Sequence, residues 1–326
     1  MKICIVKLSA LGDIVHTMIV LQYIKKRIPN CKIDWVVEES FKAVLQNNPH
    51  IDNILAVNIK SLKTNKLNLF SQIKILKQYS KNNYDIIIDA QGLLKSAMVC
   101  KIIGAKKIVG FSKNSIREGV ASLFYNQKVS IGYERNVIDR NIKVICEPLG
   151  FSISNKEILN KKSFLYSKYK NINKFDILLI VGASKKNKIY PKEKFLEICN
   201  SLKDKNIEVV WANKDEETVA KYLSQNASNV KMCEKMSLDS LKNKIKNSSL
   251  VIGGDTGPTH MAWGLNVASI TIFGNTPHYR NTYITNINKV IKSSSDVDAL
   301  KLDKNDFSID HIDSSLIVKL AKELLI

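Results

Sequence analysis

The sequence predicts an α/β protein of two doubly wound parallel sheets, and three observations carry that reading. Its 326 residues suffice for two ordinary domains with a core each. Short β-branched runs alternate with longer amphipathic ones, as expected of strands covered on both faces by helices. The alternation also stops once, in a polar Lys/Asn/Ser-rich stretch near residues 152–174, and then restarts.

In the first half the strands are expected at "KICIV", "KIDWVVE", "ILAVNI", "YDIIIDA" and "KKIVGFS". Helical patterns lie between them, near Asp13 to Arg27, Phe41 to Asn47, Asn68 to Ser80 and Gly92 to Ile103. The second half offers "DILLIVGA", "IEVVWAN", "NVKMCE", "SLVIGGD" and "ASITIFG" as strands. Its helices are expected near Lys192 to Leu202, Glu216 to Gln225, Leu238 to Asn247 and Thr259 to Leu265, with a closing amphipathic helix in "DSSLIVKLAKELLI". The expected boundaries are 1–160 and 161–310, with 311–326 as the final helix. Ligands of such sheets sit at the carboxyl ends of strands, so the strand-to-helix loops should hold the chemistry.

Composition narrows the class. With 45% apolar and 25% charged residues the chain reads as a soluble globular protein. A formal charge of +20 points to a polyanionic partner, or else to lysines that merely coat the surface. The six cysteines show no CxxC spacing and read as reduced core residues of a cytosolic protein. Lys7 and Asp13 interrupt the N-terminal apolar run, which therefore does not read as a signal peptide. No apolar run approaches the roughly 20 residues of a membrane span. No HExxH or Cys/His cluster appears, so no metal site is indicated; GxGxxG and the P-loop are absent as well.

Three loops could carry chemistry. In "SLVIGGDTGPTHMAWGLN" a strand runs through Gly253 and Gly254 into Asp255, Thr256, Gly257 and Pro258, then a helix holding His260. Backbone N–H groups at that helix start, with the helix dipole, suit a phosphate. A plain N-cap by Asp255 or Thr256, with His260 in a core, fits the same letters. In "LLIVGASKKNKIYPKEKF" Ser184, Lys185, Lys186 and Lys188 precede a helix opened by Pro191. Cations at a helix N-terminus oppose its dipole unless an anion lies between, which favours Lys188 as a phosphate ligand and leaves Lys185 and Lys186 solvated. Asp13, in "KLSALGDIVHT", occupies the equivalent loop of the first half and is either a general base or a helix cap.

These stretches, with "DWVVEE", "IDAQGLLKSA", "REGVASLFYN", "KIYPKEKF", "GGDTGPTH" and "ITIFGNT", resemble the bacterial lipopolysaccharide heptosyltransferases. "DAQGLLKSA" and "ASLFYN" favour the branch that adds the first heptose to Kdo-lipid A. The resemblance implies a GT-B architecture of two Rossmann-like domains facing a cleft, the last helix crossing back to the first domain. It implies an inverting, metal-independent transferase with no cofactor, using ADP-L-glycero-β-D-manno-heptose as donor. Kdo-lipid A at the inner leaflet is the implied acceptor, and the protein is expected to lie peripherally on the anionic cytoplasmic face of the inner membrane. Nucleic acid is not an expected partner. By the same resemblance Asp13 is the base; Ser184, Lys188, Met236, Asp255, Thr256, Gly257, Pro258 and His260 are donor-site residues. Ser9, Gly12, Lys60, Lys63, Arg117 and Arg140 are acceptor-side residues. Two departures stand out: the family's ribose-binding Glu reads as Lys214, with Glu216 and Glu217 just beyond, and one acceptor-side Arg reads as Lys60. Alternatives are the branch adding the second heptose, a nucleotide-sugar epimerase on the same scaffold, and a non-catalytic nucleic-acid-binding protein.

Overall fold

The computed structural model describes residues 1–169 and 173–325, without the side chain of Lys63. The chain divides into two units, Met1–Phe164 and Leu165–Ile326. The division falls within the expected linker, part of which lies outside the described residues.

Strands of the first unit are β1 (Lys2–Val6), β2 (Lys32–Glu38), β3 (Asn53–Val57), β4 (Tyr84–Asp89), β5 (Ala105–Phe111) and β6 (Gln127–Val129). Those of the second are β7 (Phe175–Ile180), β8 (Ile207–Val210), β9 (Val230–Met232), β10 (Ser248–Gly254), β11 (Ala268–Phe273) and β12 (Asn288–Lys292). The sheet orders are β3-β2-β1-β4-β5-β6 and β12-β11-β10-β7-β8-β9, every pairing parallel. The same winding thus occurs twice. In each sheet the order reverses between the first and fourth strands, at β1/β4 and at β7/β10, and such a switch point opens a crevice at the strands' carboxyl ends. The central strands are buried along almost their whole length, which is why they read as unbroken apolar runs.

Several expectations need correction. The first helix is two, Leu11–Met18 and Val20–Arg27, meeting at Ile19. The strands β6 and β12 and the helix Val137–Cys146 carry no expectation above, although that helix is strongly amphipathic. The closing helix Ser314–Leu324 is capped by Asp313, whose carboxylate accepts from Ser315 N–H at 2.9 Å. Its Ile317 and Ala321 are buried in the core of the second unit with Phe195, Ile198 and Ile272.

Candidate functional site

At the β7/β10 switch point the two glycines of "GGDTG" serve the protein's own neighbours. A Cβ on Gly253 would lie 2.7 Å from both Ile180 Cβ and Thr259 Oγ1, and one on Gly254 would lie 2.8 Å from the Lys188 carbonyl oxygen. Glycine therefore lets the lysine loop lie over the end of β10. The loop is pinned in turn by Asn187, which is buried and donates to the carbonyl of Lys304 at 3.0 Å.

Lys188 then reaches Asp255: its Nζ donates to Oδ2 at 2.6 Å and to the Asp255 carbonyl at 3.2 Å. Asp255 is only 6% exposed. Its Oδ1 shares a 2.9 Å hydrogen bond with His260 Nε2, while Thr276 Oγ1 and Asn281 Nδ2 donate to Oδ2 at 2.7 and 3.1 Å. Burial by itself raises a carboxyl pKa; here the Lys188 charge, followed by the His260 hydrogen bond, outweighs it and holds Asp255 well below the usual carboxylate range. The acid is a buried, ionised hub that fixes a lysine and a histidine.

The helix Gly257–Leu265 starts beside it, with Thr256 at the N-cap position, Pro258 in the first turn and no side-chain cap. First-turn N–H groups have no acceptor within a helix, so those near Gly257 remain donors for an incoming anion. The cap reading is thus half right: Thr256 takes the position without supplying the bond, and the Asp255 carboxylate is engaged elsewhere. Ser184 is exposed in the β7 loop, as are Lys185 and Lys186; Met236 is half-buried between β9 and the helix Leu238–Lys246.

After β8 the Lys214 side chain is 95% exposed, 3.8 Å from Glu217. Glu216 instead accepts from Ala212 N–H and Asn213 Nδ2, each at 2.7 Å. Its carboxylate covers Gly182, where a Cβ would fall 2.1 Å from Oε1. Glu216 is thus the acid that leans toward the β7 loop.

In the first unit the β1/β4 crevice is built by side chains that the sequence reading passed over. Lys7 is buried and its Nζ donates to the Ala90 carbonyl at 2.8 Å. Gln91 Oε1 accepts from Leu8 N–H at 3.1 Å and Ser9 N–H at 3.0 Å, fixing the turn that ends in Gly12 and Asp13. Asp89, fully buried, accepts from Gln91 N–H, Gly92 N–H and the Tyr125 hydroxyl at 2.9, 3.1 and 2.7 Å. Burial pushes the Asp89 carboxyl up despite these donors.

Asp13 sits at the third position of the helix Leu11–Met18, not at its cap, which is Ala10. Ala10 has no side-chain oxygen. Ala10 N–H donates to Asp13 Oδ2 at a long 3.4 Å, and the carboxylate is half-buried. Ser9 and Gly12 are half-buried in the same turn.

The acceptor-side cations behave differently from one another. Lys60 N–H donates to buried Glu38 at 3.1 Å and Lys60 Nζ stands 5.1 Å from the Phe41 ring centre. Lys63 ends the 3-10 turn Ile59–Lys63, and its side chain lies outside the described residues. Arg117 is exposed, 5.2 Å from the Tyr133 ring centre. Arg140 is 4% exposed and donates to the carbonyls of Gly132 and Ser115 at 2.6 Å each and of Ile131 at 3.3 Å. It holds two loops together from inside the fold. A cavity of about 660 Å³ beside the helix Val137–Cys146, lined by Ile142, Cys146 and Phe151, contains none of the expected residues. Among the described residues no group of three His, Cys, Asp or Glu is placed to hold a metal ion.

Residues 72–306 match the family model for glycosyltransferase family 9 (heptosyltransferase). The chain is 40% identical over 349 residues to lipopolysaccharide heptosyltransferase 1 of Campylobacter coli, covering 99% of both chains. It is 29% identical over 285 residues to the protein of that name from Escherichia coli K12, covering 85% of this chain and 88% of the relative. Among solved structures, the E. coli heptosyltransferase WaaC with ADP superposes with a TM-score of 0.85 at 24% identity, over 99% of this chain and all of that one.

Proposed function

The chain belongs to glycosyltransferase family 9, the heptosyltransferases, and from that premise we propose that it moves L-glycero-D-manno-heptose, with inversion, from ADP-heptose to the Kdo of Kdo-lipid A in lipopolysaccharide inner-core synthesis. The observation that carries the mechanism is the Lys188–Asp255–His260 constellation at the β7/β10 switch point.

As the glycosidic bond breaks, the ADP leaving group gains negative charge. Asp255 and its carbonyl take two of the three N–H donors of Lys188 and aim the ammonium; the third remains for a diphosphate oxygen. The first-turn amides near Thr256 and Gly257 meet the same phosphates. Groups placed before charge develops stabilise the transition state more than the ground state. Buried Asp255 and His260 act by positioning, while Ser184 and Met236 complete the donor pocket. Glu216 takes over the ribose contact that Lys214 leaves, since its carboxylate faces the β7 loop and Lys214 faces solvent.

Asp13 is assigned as the base that removes a proton from the Kdo hydroxyl as it attacks. Ser9, Gly12, Lys60, Lys63 and Arg117 serve the anionic acceptor, with Arg140 holding the loops behind Arg117. The reaction as proposed uses no cofactor and no metal. No described helix is long and apolar enough to cross a membrane. We place the protein peripherally on the cytoplasmic face of the inner membrane, where each nearby Lys or Arg contributes about 1 kcal/mol of attraction to anionic lipid.

The deciding assay incubates the protein with ADP-heptose and Kdo-lipid A and weighs the products. A mass increase of one heptose on the acceptor is expected. Transfer only to an already heptosylated acceptor would assign the second-heptose branch, and turnover of the sugar nucleotide without acceptor would assign an epimerase.

A further inference from the structure

The exposed apolar side chains are not scattered. Seven of the sixteen large ones among the described residues lie on three neighbouring elements of the first unit. Leu67 and Phe70, 76% and 77% exposed, flank the start of the helix Asn68–Ser80 together with Leu69. Leu94 and Met98 stand one turn apart on the helix Leu94–Ile103, and Val120 and Leu123 lie on the 3-10 turn Gly119–Phe124.

Opposite faces of these elements share one core, through Leu76, Ala97, Cys100 and Ala121. Leu94 N–H also donates to Glu118 at 2.7 Å, tying the second helix to the 3-10 turn. Both helices are crossovers between parallel strands, so both begin at the carboxyl edge of the sheet, the edge that also carries the Asp13 turn. The exposed residues therefore gather along one rim.

Acids are sparse along that rim, and its Glu118 is engaged by Leu94 N–H. Residues 53–84 hold six lysines and no Asp or Glu; residues 90–117 hold five lysines, one arginine and again no acid. Leu and Phe at three-quarters exposure among cations that outnumber acids form the pattern of an element that lies in a membrane interface. A nucleic acid would meet the lysines and leave the apolar side chains in water. A second copy would set one cationic face against another.

We propose that this rim is a membrane-docking surface for an anionic bilayer, with Leu67 and Phe70 entering the acyl boundary and the flanking lysines meeting the headgroups. The proposal rests on the reading that the acceptor is a glycolipid, and it deepens that reading. Attachment is then not electrostatic alone, and part of it survives salt.

The test floats the full chain with phosphatidylglycerol/phosphatidylethanolamine vesicles and with phosphatidylcholine vesicles, at 0.1 and 1 M NaCl. Binding should favour the anionic vesicles, and a fraction should persist at high salt. The double variant Leu67→Ser, Phe70→Ser should lose that fraction and partition about tenfold or more weakly at low salt. Phe70→Trp should give a blue-shifted emission quenched by brominated lipid. Equal partitioning of variant and parent, a tryptophan that stays in water, or a dimer that the double variant abolishes would each overturn the proposal. Transfer to a lipid-free Kdo acceptor should be unchanged in the double variant. If neither protein transfers heptose, the enzymatic reading fails, while the vesicle result still stands or falls by itself.

Discussion

Two carboxylates illustrate opposite uses of the same group. Asp13 lies at the third position of its helix, half-buried, with a long contact from Ala10 N–H, which suits a base that must receive a proton. Asp13→Asn keeps the shape and removes the basicity. Turnover should fall by roughly 10²–10⁴ while ADP affinity is unchanged, measured by initial rates and calorimetry; near-normal turnover would remove Asp13 from the mechanism. Asp255 is buried, ionised and surrounded by donors. Removing one partner of a buried pair leaves the other charge uncompensated, and Asp255→Asn should destabilise the protein by about 3–5 kcal/mol at pH 7. The sign with pH follows from the depressed folded-state pKa. The stabilisation is complete above the unfolded value, about pH 4, and is lost as pH falls below it toward the folded value. Denaturant unfolding of both proteins should therefore show their difference shrinking below pH 4 and constant between pH 5 and 7.

At the scale of the element, legibility in the sequence depended on how far a segment's own letters determine its surroundings. "KICIV", "KIDWVVE" and the helix Asn68–Ser80 lie where the pattern puts them, because buried parallel strands and amphipathic helices carry their burial in their periodicity. The short edge strands β6 and β12 were not legible: their ladder bonds come from one neighbour only, and "QKV" and "NKVIK" have no apolar run. The site was legible as loops and as Lys188, Asp255 and His260, but not as a network. Thr276 and Asn281 complete it from distant segments, and no local spacing announces a hydrogen bond formed across a sheet. The burial of Arg140 was not legible for a related reason. A lone arginine reads as a surface cation unless its helix, Val137–Cys146, is recognised first, and its burial follows from that helix. Arg140→Ala should then lower thermal stability by about 3 kcal/mol or more, since it removes charge-assisted bonds to three buried-side carbonyls, and should leave ADP binding unchanged. An unaltered melting temperature with a raised acceptor KM would restore it to the acceptor site.

For the molecule as a whole, the repetition of one winding order in two units has a consequence for how the work is divided. Each unit closes its own sheet, and the second draws its core from β7 to β12 together with the final helix, whose Ile317 and Ala321 lie among that sheet's side chains. Every residue assigned to the donor, from Ser184 through Glu216, Met236 and Asp255 to Asn281, falls within Leu165–Ile326. Asp13 and the acceptor-side cations fall within Met1–Phe164. A fragment spanning 165–326 keeps its core and the whole Asp255 network, so it should fold cooperatively and bind ADP within about tenfold of the full chain, a difference of about 1.4 kcal/mol. It should transfer no heptose, because it lacks Asp13, the proposed base. Calorimetry with ADP and a chemical denaturation curve check both parts. A folded fragment with no affinity for ADP would mean that the nucleotide is held by residues outside the second unit, and the roles given to Lys188 and Glu216 would have to be reassigned.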